Sequence, residues 1–327
     1  MLGATRSAAS CCIPLTAAIV ASQLAAPQGA SAAGSPEAKA LAYLMREVPA
    51  WRERHACGSC HNNGDGARAL FRARKLGFAV PDQALANTTR WLLSPPDWER
   101  SGDQPEASDK KLAGIQFGAA LLAAVDAGSI ADRRALIETA AKLASDQDED
   151  GAWRIAEQSS LGSPVAYGPF VATWLTQRTL ALADGARFGR EVARAEEFFL
   201  GNPPRNVMDA AATTLALAGR KSSAARARTQ QALELLLSAQ TADGGFGPYP
   251  RTAPEVFDTA LALLALHNAG GSAHEEPIRK GRQYLAREQA ESGGWRETTR
   301  PPGYQSYAQR ISTTAWATLA LLETAGR

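Results

Sequence analysis

The chain has 327 residues, with 35 Lys and Arg against 33 Asp and Glu, a formal charge of +2. Acidic and basic residues are interspersed along it, so neither a nucleic-acid surface nor a polybasic membrane patch is implied. With 45% apolar residues, a chain of this length buries roughly three quarters of its unfolded surface, enough for one large domain without disulfide staples.

The first element is a leader. Its only charge is Arg6, an apolar stretch runs from Cys12 to Ala26, and Ala30-Ser31-Ala32 has the small-x-small form that a signal peptidase cuts. Residues 1–32 are therefore expected to be a signal peptide, which makes the mature protein periplasmic or secreted. The leader's apolar core is short for a bilayer span, and no later stretch of about 18 apolar residues lacks charge, so no membrane span is expected in the mature chain.

Residues 33–82 are expected to form an N-terminal segment. It holds a helix near Pro36 to Val48, a Cys57-Gly58-Ser59-Cys60-His61 run, a loop over Asn62-Asn63-Gly64-Asp65-Gly66, and a short basic helix from Ala67 to Leu76. Cys57 and Cys60 are the only cysteines outside the leader, and His61 is one of four histidines. In an exported protein a Cys-x-x-Cys-His run is a signal for covalent haem c: two thiols spaced for the two vinyl groups, followed directly by an imidazole for the iron. Cys57, Cys60 and His61 are thus the expected cofactor residues, with His61 the proximal iron ligand.

Two other chemistries use the same residues. One is a zinc site from His55, Cys57, Cys60 and His61; the other is a Cys57-Cys60 disulfide. The distal haem position has several candidates. Met45 precedes Cys57 on the helix and is the leading one; Met208, His55, His267 and His274 are others, and an open sixth position would favour small-molecule chemistry over simple electron transfer. Arg52, Arg54, Arg68 and Arg72 flank the run and are candidates to pair with haem propionates.

Residues 83–327 carry a repeat. Gln147-Asp148-Glu149-Asp150-Gly151-Ala152-Trp153, Gln240-Thr241-Ala242-Asp243-Gly244-Gly245-Phe246 and Gln289-Ala290-Glu291-Ser292-Gly293-Gly294-Trp295 all read Gln-x3-Gly-x-aromatic. The spacings fit a period near 47, and a degenerate copy is expected at Phe198 to Pro204. Stretches before each turn, such as 189–200 and 276–289, carry one apolar stripe. Stretches after it, such as 258–268 and 312–325, are apolar nearly all round. One-faced helices alternating with buried ones describe an outer ring wrapped around an inner ring, an all-α α/α toroid. Residues 84–101 are the expected first outer helix and Lys111 to Asp126 the first inner one. Five helix pairs are expected, with residues 33–82 as a haem-binding cap. Gly151, Gly201, Gly244 and Gly293 are expected to supply left-handed or close-approach backbone. The Gln amides should bond helix-end backbone groups, and the aromatic rings should pack on the next outer helix.

The repeated element resembles the QW motif of the squalene-hopene cyclase and prenyltransferase β-subunit superfamily, over roughly residues 84–327. The resemblance implies the toroid fold, and it implies chemistry that can be checked by residue. Protonating cyclases of that family carry Asp-x-Asp-Asp-Thr-Ala at the start of an inner helix, the middle Asp being the acid. The matching stretch here is Glu255-Val256-Phe257-Asp258-Thr259-Ala260, so Phe257 stands at the acid position, and a phenyl ring donates no proton. The family's prenyltransferases hold zinc through an Asp, a Cys and a His, and no cysteine follows Cys60. The acidic run Asp146, Asp148, Glu149 and Asp150 is expected to be a solvated helix end, with weak cation binding as the alternative. Gln116, Phe117, Tyr167, Phe170, Trp174, Asp258, Tyr307 and Trp316 fall on or beside inner helices, lining a cavity or filling a core. The expected function is an exported c-type haem protein exchanging electrons with a redox partner or a hydrophobic molecule held in the ring. A non-catalytic lipid- or protein-binding ring and an isoprenoid-modifying enzyme are the alternatives.

Overall fold

Inner helices are buried on nearly every side, and that property organises the molecule. In this computed structural model, residues 34–55, 57–98, 110–155, 161–300, 302–303 and 305–326 are described; the expected signal peptide lies outside them. The outer helices are α1 (Pro36–His55), the broken pair α3 (Ala86–Leu92) and α4 (Pro95–Trp98), α6 (Arg134–Ser145), α8 (Gly189–Gly201), α10 (Ser223–Ala239) and α12 (Glu275–Glu288). The inner helices are a π-helical turn (Cys60–Gly66) running into α2 (Ala67–Lys75), then α5 (Lys110–Asp126), α7 (Gly168–Asp184), α9 (Val207–Ala216), α11 (Val256–Ala269) and α13 (Tyr307–Glu323). Each inner helix packs on the next, and α13 packs back on the π turn and α2, which closes the ring.

The ring therefore has six helix pairs among the described residues, and residues 36–75 are its first pair. The expectation of five pairs plus a cap is corrected. Its cause is local: the turn between α1 and the first inner helix lacks the Gln-x3-Gly-x-aromatic signature, whereas the packing surfaces on both sides of it belong to the ring. The loop expected over residues 62–66 is a buried helical turn as well. Asn62 and Asn63 donate their side-chain amides to the Glu47 and Val48 carbonyls of α1 at 2.9 and 3.3 Å. Gly64 and Gly66 let this turn approach α5 and α1, since a Cβ there would stand 3.0 Å from Gln116 Cβ and 2.9 Å from Val48 Cγ2. Tertiary contact overrides the poor helix propensity of Asn and Gly.

The repeated turn is one device used three times. Gln147, Gln240 and Gln289 each donate one amide proton to the glycine carbonyl of their own turn and the other to the first residues of the next outer helix. The second acceptors are the Glu191, Pro277 and Pro36 carbonyls, at 2.9, 2.8 and 2.9 Å. The turn glycines Gly151, Gly244 and Gly293 have φ of +87°, +91° and +92°, and a Cβ on each would lie 2.2, 2.5 and 2.2 Å from the carbonyl oxygens of Arg194, Lys280 and Lys39. The third copy thus grips α1 and seals the ring, helped by Arg282 of α12, which pairs with Glu37 at 2.5 Å. Gly201 departs from the expectation: it ends α8 without positive φ, and a Cβ there would meet nothing within 4 Å. The indole N–H groups also differ. Trp153 and Trp295 donate to the Leu143 and Leu285 carbonyls, both at 2.7 Å, so each ring is hooked to the outer helix before it.

Candidate functional site

All inner helices start on the face that carries these turns and end on the opposite face, so the ring has an N-terminal mouth and a C-terminal mouth. The Cys-x-x-Cys-His run opens the first inner helix at the N-terminal mouth. Ser59 caps that helix by accepting from the His61 and Asn62 amides at 3.2 and 3.3 Å. Gly58 is pinned beside Trp91, whose indole would overlap any side chain there. Cys57 and Cys60 are half-buried and are not joined to each other by a disulfide.

His61 is the centre of a polar relay. Its Nδ1 lies 2.9 Å from Ser312 Oγ on α13, and the Ser312 hydroxyl donates to Asp65 Oδ2 at 2.8 Å. Asp65 also accepts from Gln116 Nε2 at 2.8 Å and from the Tyr167 hydroxyl, with Arg68 Nη2 at 3.9 Å. Three donors converge on the two carboxyl oxygens of Asp65, which is the acceptor in each bond. Ser312 spends its one proton on Asp65 and must accept from His61, which places a proton on Nδ1 and leaves Nε2 as the basic nitrogen. Burial lowers the His61 pKa, against an opposing pull from Asp65, and this favours the neutral ring. The order His, Ser, Asp is not a hydrolase triad, in which the imidazole stands between serine and carboxylate.

Around this segment, Trp51 stacks on His55 with centroids 4.1 Å apart and on Tyr307 at 6.1 Å. Tyr307 accepts from Asn62 at 2.9 Å and is half-exposed at the rim, so it does not face the lumen. Among the described residues no group of three or more His, Cys, Asp or Glu is placed to hold a metal ion. The acidic run at 146–150 is a helix end in which Asp148 pairs with Lys111 and Arg154, and Asp150 with Arg154. Met45 packs against the core from α1. Met208 is on α9 with Arg300 Nη1 2.9 Å from its sulfur. Arg52 lies over the Trp91 ring at 4.8 Å and Arg54 is exposed. Arg68 and Arg72 instead follow α2 toward the other mouth, Arg72 in a bidentate pair with Glu323.

The middle of the ring is filled rather than hollow. Phe257 and Tyr167 each pack edge-to-face on Trp316 at 5.8 Å, and the Arg68 guanidinium covers Trp316 at 4.1 Å. Phe117 and Phe170 turn outward, to Trp91 and Trp98 and to Phe198 and Phe199. Asp258 is fully buried; burial pushes its carboxyl up, Arg300 opposes this and Glu255 adds to it. Arg300 straps the N-terminal mouth by bonding Asp258, Glu255 and the Gly162 carbonyl. The relay residues Asp65 and Ser312 escape recognition in the sequence, Asp65 because it sits in a loop-like run and Ser312 because one serine on an apolar helix carries no signal.

Residues 195–327 match the model of the squalene-hopene cyclase C-terminal domain. A stretch of 100 residues is 37% identical to drimenyl diphosphate synthase of Streptantibioticus cattleyicolor, and it covers 28% of this chain and 18% of that protein. Among solved structures, a type II terpene cyclase from Scytonema superposes with a TM-score of 0.59 at 16% identity, over 89% of this chain and 97% of that one. The ent-copalyl diphosphate synthase of Streptomyces platensis gives 0.55 at 18% identity, over 80% and 50%. The protein is a cyclase-like α/α toroid. Among its described residues no helix is long and apolar enough to cross a membrane.

Proposed function

We propose that this toroid is an exported haem c protein, with Cys57 and Cys60 as the attachment residues and His61 as the proximal ligand, working in electron transfer or redox chemistry on a partner or hydrophobic molecule. The observation that carries the reading is the His61-Ser312-Asp65 relay. A ligating histidine donates its second ring N–H to a carboxylate or carbonyl, which fixes the tautomer and raises the basicity of the ligating nitrogen. Here Nδ1 has that anchor and Nε2 has the lone pair. Ser59, as the helix cap, and Gly58, wedged beside Trp91, fix the backbone between Cys57 and Cys60. Trp51 and Tyr307 would cover apolar porphyrin surface, and Arg52 and Arg54 would take the propionates. Bound there, the haem supplies a one-electron iron couple.

Attachment adds each thiol S–H across one vinyl double bond, forming a C–S and a C–H bond with nothing lost. A peptide spanning Cys57 to His61 should therefore gain one whole haem in mass when the chain is exported in a host with cytochrome c maturation. The pigment should resist acid-acetone extraction, and Cys57→Ala with Cys60→Ala should abolish both signals. An unmodified peptide from that host overturns the reading.

The similarity to drimenyl diphosphate synthase favours a second reading, protonation of an isoprenoid. The site counts against it. Phe257 holds the acid position, Asp258 is tied to Arg300, and Asp65 already accepts from three donors.

A further inference from the structure

The C-terminal mouth holds a cavity of about 250 Å³ that runs inward to the Trp316 ring. Leu122, Leu175, Leu215, Leu264 and Leu319 and the Trp174 ring give it apolar walls, and three arginines, Arg68, Arg72 and Arg178, face into it. Its acids are already engaged: Glu323 is held by Arg72, and Asp126 by Lys75. Arg68 is the telling group. Its side chain is 7% exposed; Asp65 lies 3.9 Å from Nη2 and Trp316 covers one face, but its Nε and Nη2 have no hydrogen-bond partner. Cations collect at helix C-termini for the dipole alone, which accounts for Arg178 near the end of α7. It does not account for Arg68, which opens α2. A buried guanidinium with open N–H groups is costly unless something accepts from it. Arg178 lines the same space and is exposed to solvent. Desolvation at the cavity wall, and then repulsion from Arg68 and Arg72, lower its pKa, with Asp126 and Glu323 opposing them.

We infer that the C-terminal mouth is a binding site for an anionic head group on an apolar body, a carboxylate or a phosphate monoester, with Arg68 and Arg178 taking the anion and the leucine and tryptophan walls taking the chain. This inference is independent of the haem reading, because the site lies at the other end of the ring. The size suits one small amphiphile.

The test is calorimetric titration of the purified exported protein with decanoate, monodecyl phosphate, decan-1-ol and inorganic phosphate, at low salt. At least one decyl anion should bind with a Kd at least tenfold below that of decan-1-ol and of inorganic phosphate, and should quench fluorescence from Trp174 and Trp316. Whichever anion is preferred assigns the head group. Arg178→Met should remove the preference for the anion while leaving decan-1-ol binding unchanged; a matching thermal melt verifies that the variant is folded. The inference is overturned if decan-1-ol binds as tightly as both anions, if inorganic phosphate binds as tightly as monodecyl phosphate, if Arg178→Met keeps the preference, or if no probe saturates.

Discussion

Ser312→Ala removes one oxygen from the centre of the relay, and its cost can be worked from the contacts. The hydroxyl donates to a carboxylate at 2.8 Å and accepts from His61 at 2.9 Å, in a side chain with no exposed surface. Asp65 keeps Gln116 and Tyr167, so its loss is one charge-assisted bond of about 1.5–3 kcal/mol. His61 keeps nothing in reach of Nδ1, and a buried N–H without a partner costs about 1–3 kcal/mol. Since Asp65 keeps two donors, the low end of each applies, and the expected loss is about 2.5 kcal/mol. Denaturant unfolding at pH 7, with the haem-free parent protein and Ser312→Ala matched in m-value, reads this as a lower midpoint. Nitrogen NMR of the His61 ring reads the second consequence, a shift of the proton from Nδ1 toward Nε2. A loss under about 1 kcal/mol with an unchanged tautomer would refute the relay.

Gly293→Ala should cost well over 3 kcal/mol in thermal unfolding, because a left-handed backbone costs about 1–2 kcal/mol and its Cβ also meets the Lys39 carbonyl at 2.2 Å. Gly219→Ala, with φ +73° and nothing within 4 Å, should show the backbone part alone, and equal costs would contradict the ring-sealing role of Gly293. Trp295→Phe loses the 2.7 Å bond to Leu285 and some buried ring surface, and should destabilise by about 2 kcal/mol; a neutral result would assign the indole N–H no part in the turn. Burial raises Asp209 from 3.8 to about 6. The folded state then binds a proton more tightly than the unfolded one, so this residue stabilises below pH 4 and the contribution is lost as pH rises through 6. Asp209→Asn should flatten stability between pH 4 and 6, and an unchanged slope would show that Asp209 does not titrate there.

The toroid is legible in sequence because its turn is a conspicuous chemical device. Gln147, Gln240 and Gln289 share spacing, a left-handed glycine and an aromatic ring, and the helices around them differ visibly in polarity. The first pair is not legible in the same way. Its turn is occupied by the cysteine run, and Asn62 to Gly66 is poor in helix formers, so only contacts from α1, α5 and α13 make it helical. Gln116, Tyr167 and Trp316 are identifiable as inner residues from their place on apolar helices. What they surround is not, since Asp65 lies in a stretch that looks like a solvent loop. Arg68 and Arg72 sit close to the cysteines in sequence, yet the rise of a helix carries them to the far mouth. Proximity along a chain predicts neither the face nor the end of a helix that a side chain reaches.

Sealing the last turn onto the first helix has a consequence for how the molecule comes apart. An open stack of repeats can fray one unit at a time, with stability summed over neighbours. A loop of helices without ends offers no such retreat, because loss of any one unit uncovers two apolar flanks at once. Damage in α1 and damage in α13 should then register as a single global transition, and a chain shortened by one pair should collapse or aggregate instead of surviving as a smaller ring.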